Sequence, residues 1–177
     1  YQNINKIIIN IKDDINLEDY FFSIDKCDEF REYINYYQSN LEINECGKYG
    51  LQNIYGSFFK KGIYEEIDKI QDKIDNIYKF FDDKMKELSN YIEKDSDFVK
   101  MENNDRDGYF LYTTQKRSKV LFDNLNKEES MKNIYETKRY TSTNIKIVSD
   151  ELQQKSQSLV FYKEKIKNLT KEKYIDF

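Results

Sequence analysis

The sequence contains no His, no Pro, no Trp and no Ala. Without His there is no Ser-His or Cys-His nucleophilic dyad, no imidazole general base and no His-ligated zinc. Two Cys, Cys27 and Cys46, form no CxxC and are too few for a thiolate metal site. They read as free thiols of an intracellular protein rather than as a disulfide. No G-x-x-x-x-G-K-[ST] string occurs, so there is no P-loop. Apolar runs such as Ile7-Ile8-Ile9 are far too short for a membrane-spanning helix or a signal peptide. The chain does not begin with Met, as expected of a piece of a longer protein.

What is present is charge and isoleucine. The 177 residues carry 33 Asp+Glu and 29 Lys+Arg, a net charge of −4. Charged residues make up 35%, which predicts an elongated, water-exposed protein of one domain or a compact pair. The 21 Ile, 17 Asn and 25 Lys have A/T-rich codons and point to an A/T-rich gene.

The clearest pattern runs from Ile63 to Ile92. Ile63, Ile67, Ile70, Ile74, Ile77, Phe81, Met85, Leu88 and Ile92 follow one another in steps of three and four. That is a heptad-like stripe on one long amphipathic helix, with Glu, Asp and Lys on its other faces. One stripe cannot bury itself, so the helix needs a partner. Near the C-terminus, Ser149 or Asp150 can cap a second helix with Leu152, Leu159, Tyr162, Ile166 and Leu169 on one face. The seam of that helix is polar at Lys155-Ser156. Two such helices predict an antiparallel pair, a stalk.

The segment between them reads as β. Phe98–Met101, Tyr109–Thr114, Asn133–Tyr140 and Ser142–Val148 are strand candidates, with a short helix over Lys116–Leu125. Asn103–Gly108 is a turn ending in Asp-Gly. Asn103, Asp105 and Asp107 partly imitate a calcium loop, but Thr114 stands at the twelfth position and a strand follows, so a side-chain-stabilised turn is the expectation. Upstream, Asp28–Ile43 has a helical pattern, and Ile4–Ile11 fits a helix or a strand. The fold expected is mainly α with a small β insert: a long antiparallel helical stalk carrying a β-rich module at its tip. The boundaries are a helical segment over 1–57, an ascending helix over 58–96, the module over 97–148 and a returning helix over 149–177.

Three local strings, in register on that frame, carry a family resemblance. Phe58-Phe59-Lys60-Lys61-Gly62-Ile63-Tyr64-Glu65-Glu66-Ile67-Asp68 resembles the start of the lever helix in MutS-type DNA mismatch repair proteins. Asn104, followed by Gly108-Tyr109-Phe110, is similar to that family's Asn-x-x-x-Gly-aromatic-aromatic turn and strand in the clamp. Ile147-Val148-Ser149-Asp150-Glu151-Leu152 resembles its strand-to-helix return, with Asp150 where Pro is usual. The resemblance covers about residues 57 to 177. It implies a lever and clamp that contacts the backbone of double-stranded DNA without reading sequence. It implies mechanical coupling to an ATPase domain that is not in this chain. ATP and Mg would belong to the parent protein, together with a second MutS-type subunit as partner. It implies no catalysis, no cofactor, no metal and no membrane partner for the chain itself.

Charge agrees with that polarity. Residues 97–147 hold 10 Lys+Arg against 8 Asp+Glu, net +2, in a chain of net −4. Backbone contact needs cations and neutral donors. The candidates are Lys116, Arg117 and Lys119, then Lys138, Arg139 and Lys146, with Ser142, Thr143 and Asn144 between. By the resemblance, Thr143 and Asn144 lie where a clamp approaches the duplex. The rings of 109–112 could stack on bases, but alternation assigns one face to the module's core. The alternative to a DNA clamp is a coiled-coil module that binds another protein.

Overall fold

The computed structural model describes residues 24–50 and 54–177, with side chains from residue 30 onward. Segment 4–11 lies outside the described residues, as does the side chain of Cys27. Helix α1 spans Ile24–Asn40 and the single turn α2 spans Ile43–Cys46. Cys46 carries a free thiol, and burial pushes its pKa up.

The long helix α3 spans Glu65–Ile92 and the last helix α5 spans Asp150–Asp176. Ile67, Ile70, Ile74, Ile77, Phe81 and Leu88 of α3 are buried, as the stripe requires. Glu65, Glu66 and Asp68 load its first turn with negative charge, which complements the helix dipole. Asp68 also reaches back to accept the Gly62 N–H at 2.7 Å. Ser149 caps α5, its hydroxyl accepting the Leu152 N–H. Contacts between the helices run in opposite senses. Glu66 pairs with Lys173 at 3.5 Å, Lys73 lies over the Tyr162 ring, and Lys155 lies over Phe80. The two helices are therefore antiparallel.

Between them stand β1 (Lys100–Asn104), β2 (Gly108–Thr114), α4 (Gln115–Leu125), β3 (Glu136–Arg139) and β4 (Asn144–Val148). The strands form one antiparallel sheet in the order β1-β2-β4-β3. Leu111 of β2 and Ile147 of β4 are register partners and both are buried, so they mark the core face. Val99, Leu121 and Leu125 join them. Ser89 of α3 ties the sheet to the helix by accepting the N–H groups of Phe98 and Val99 at 3.1 and 3.0 Å.

Three expectations need correction. The ascending helix does not begin at 58. Phe58 and Phe59 are buried, and Phe59 bridges Leu41 in an extended stretch, while Gly62 at φ +93° turns the chain before the helix starts. The strand expected from Asn133 starts only at Glu136, because Asn133 sits at φ +64° in a turn. The sheet does not stand beyond the helix ends. The start of β2 reaches Tyr78, half-way along α3, and Ser156, in the second turn of α5. The sheet lies along the flank of the pair, because Gly108 lets β2 approach α5 closely.

Candidate nucleic-acid interface

The two ends of β2 are built differently. At its start, Asn104 Oδ1 accepts the N–H groups of Arg106 and Asp107 at 3.1 and 2.7 Å, closing the turn. Asn104 pairs with Gly108 in register. Gly108 takes φ +63°, a left-handed conformation that glycine adopts without strain. A Cβ there would stand 2.8 Å from Ser156 Oγ. Ser156 Oγ accepts the Tyr109 N–H at 2.8 Å. Lys163 then donates to the hydroxyls of Tyr78 and Tyr109, each at 3.0 Å. Burial pushes the Tyr109 phenol up, but the hydrogen bonds from Lys163 and Tyr78 outweigh it and hold it below its ordinary pKa. Asn104, Gly108 and Tyr109 are thus the joint between sheet and helices.

At the other end, β2 passes into α4 beside the loop between β3 and β4. The Gln115 N–H donates to the Thr143 carbonyl at 2.9 Å, and its side-chain amide donates to the Ser142 carbonyl at 3.1 Å. Thr141 Oγ1 accepts the N–H groups of Thr143 and Asn144 at 3.3 and 3.0 Å. These bonds hold the loop against the first turn of α4. Lys116, Lys119, Lys138, Arg139, Ser142 and Thr143 are exposed, and Asn144 is half-buried. The structure therefore brings Lys116, Arg139, Ser142 and Thr143 to one end of the sheet. The Thr143 hydroxyl also lies 3.4 Å from that of Thr141. Fixed backbone with exposed cationic and hydroxyl tips is the arrangement that phosphate contact needs.

Two of the sequence candidates are already engaged. Lys146 is 7% exposed. Its ammonium sits 2.5 Å from Asp107 and 3.7 Å from the centre of the Phe110 ring. That hydrogen bond holds the Asp107 carboxyl below its ordinary pKa. Arg117 stacks its guanidinium on the Phe98 ring at 3.6 Å. Both cations serve packing first. Phe110, taken as part of the family motif, is the floor beneath Lys146 and Tyr140. Sequence reasoning missed Gln115, whose two bonds organise the loop; its place directly after a strand ending in Thr-Thr was the available signal.

Comparison with known proteins adds one relative. The chain is 31% identical over 146 residues to a DNA mismatch repair mutS homolog of Acanthamoeba polyphaga mimivirus. The chain is MutS-like over that stretch. The match takes in 74% of this chain and 12% of that protein, so the chain spans only a small part of its relative's length. No family model matches. Among the described residues no helix is long and apolar enough to cross a membrane.

Proposed function

We propose that this chain is the lever and clamp of a MutS-like mismatch repair protein. The far end of the sheet rests on the backbone of double-stranded DNA, and α3 and α5 transmit its movement to an ATPase domain elsewhere in the parent. ATP and Mg are bound there, and a second MutS-type subunit supplies the opposing arm. The chain itself catalyses nothing. The observation that carries this reading is the polarity of β2. One end is locked into both long helices, and the other presents Lys116, Arg139, Ser142 and Thr143 on a loop pinned by Gln115. The similarity to the mimivirus mutS homolog supports it.

The test is fluorescence anisotropy on a duplex of about 30 base pairs across a series of salt concentrations. Binding should weaken with salt and ignore a mismatch. Replacing Lys116 and Arg139 by Ser should reduce the slope of log K against log salt by about 2, near 0.9 for each phosphate contact removed. An unchanged slope defeats the reading. It would leave the coiled-coil module, which one observation favours: Val160 and Phe161, neighbours on α5, are 48% and 59% exposed.

A further inference from the structure

The strand register assembles a second surface, on the solvent face of the sheet. Lys100 of β1 is opposite Tyr112 of β2, Tyr112 is opposite Lys146 of β4, and Lys146 is opposite Lys138 of β3. Opposite residues share a face, so one row of three lysines and a tyrosine crosses all four strands. It lies on the face away from Leu111 and Ile147. Tyr140 joins the row, its ring 6.0 Å from Tyr112 and 5.0 Å from Phe110. Phe110 is covered by Lys146 and Tyr140, whereas Tyr112 and Tyr140 are only half-buried. At the sheet's two edges, Lys100 and Lys138 are exposed.

The charges on this face are graded. Lys146 is paired with Asp107, and Lys100 contacts Asp97 at 2.5 Å. On the side toward the start of β2 stand Glu102 and Glu136, and Glu102 accepts a hydrogen bond from the Tyr140 hydroxyl. On the other side stand the neutral Thr114 and Asn144, with Asp97, before β1, held by Lys100. Among the described residues, two carboxylates without a lysine partner thus stand on one side of the row, and on the other the one carboxylate, Asp97, is paired with Lys100. Rings at the centre with cations at both edges match one ligand chemistry. Unpaired bases stack on the rings while the flanking phosphates meet the ammonium groups. A duplex hides its base faces and gains nothing from a ring.

We propose that the outer face of the sheet binds single-stranded nucleic acid, with Tyr112 and Tyr140 as the stacking surface and Lys100 and Lys138 as the phosphate contacts. This site is separate from the loop end assigned to duplex DNA and does not depend on it. The test titrates the full chain with a fluorescent oligothymidylate of about twelve nucleotides, and with the matching oligouridylate, binding of either being support. Tyr112→Leu should lose about tenfold in affinity, and Tyr112→Phe should keep it, since a phenyl ring still stacks. Lys100→Ser with Lys138→Ser should lower the salt slope by about 1.4, near 0.7 per single-strand contact. Circular dichroism checks that each variant is folded, and duplex affinity should stay unchanged in both Tyr112 variants. Absence of single-strand binding in the unaltered chain, or equal affinity in Tyr112→Leu and Tyr112→Phe, overturns the proposal. So does parallel loss of single-strand and duplex affinity in folded Tyr112→Leu, which would place both ligands on one surface.

Discussion

The two long helices use the same spacing for opposite purposes. On α3 the buried positions are Ile67, Ile70, Ile74, Ile77, Phe81 and Leu88, with a single hydroxyl, Ser89, beside them. On α5 the inward positions are Leu152, Ser156, Leu159, Lys163, Ile166 and Thr170. Each leucine or isoleucine there is followed by a polar residue, and Ser156, Lys163 and Thr170 recur every seventh position. The first two reach the sheet: Ser156 at the Tyr109 N–H, and Lys163 at the Tyr109 hydroxyl, with Tyr78 of α3 as its second acceptor. So α3 gives one buried hydroxyl, Ser89, to the sheet region, and α5 gives two of its inward polar positions to it. Ser156 on α5 and Ser89 on α3 mark the places where a backbone N–H of the sheet region comes within hydrogen-bonding distance of a long helix.

The comparison breaks most severely at the packing helix. Phe81 is fully buried among the α3 stripe and the core. Phe81→Ala should cost about 3–5 kcal/mol, the usual range for deleting a core aromatic ring, read as a lowered midpoint in urea. A loss below about 1 kcal/mol would mean the seam does not hold the pair. The joint on the receiving helix is the next largest. Gly108→Ala places a Cβ 2.8 Å from Ser156 Oγ and forces a left-handed φ on a chiral residue. The conformation costs about 1–2 kcal/mol, and displacing Ser156 from the Tyr109 N–H adds about 1 kcal/mol. The expected total is about 2–3 kcal/mol by chemical denaturation. The variant should also speed amide exchange at Tyr109 while leaving the centre of α3 protected. Equal acceleration at Tyr109 and at the centre of α3 would show that the sheet and the pair unfold as one unit.

How far these features could be read from sequence follows from the range of the interaction. The α3 stripe is local, and its spacing alone named six of the residues that the structure buries. The turn from Asn104 to Gly108 is local too, and its Asn and Gly do the two jobs those residue types do best. The polar break at Ser156 was visible, but its partner was not, because the Tyr109 N–H lies 47 positions away in sequence. The same limit put the sheet at the tip of the stalk instead of along its flank. Lys146 shows a subtler failure. Between Ile145 and Ile147, period two turns it to the solvent face, where a free cation is the natural reading. Only the register with Tyr112 and the turn carrying Asp107 reveal that rings and a carboxylate enclose it. The exposed tips of Lys116, Arg139, Ser142 and Thr143 were nameable one by one, but nothing local foretold that Gln115 would gather the loop and the helix into one end.

Thr170 gives the comparison its finest test. It occupies the same heptad position as Ser156 and Lys163, yet it lies beyond the reach of the sheet. It is fully buried, and its hydroxyl is the one buried side-chain oxygen or nitrogen among the described residues without a hydrogen-bond partner. A buried donor that exchanges water for nothing carries its desolvation cost uncompensated, about 1–3 kcal/mol. Thr170→Val keeps the branched shape and removes that cost, so it should raise stability by about 1 kcal/mol, seen as a higher urea midpoint with an unchanged slope. Ser156→Ala, the matching change one sheet-contact away, should lower stability by about 1 kcal/mol, since it orphans the Tyr109 N–H. Opposite signs at two positions of one heptad register would establish that the polar residues of α5 are there for the sheet, and that the seam gains nothing from them where the sheet is absent. A loss at Thr170→Val would instead mean that its hydroxyl bonds back to the carbonyl one turn earlier, as threonine in a helix can.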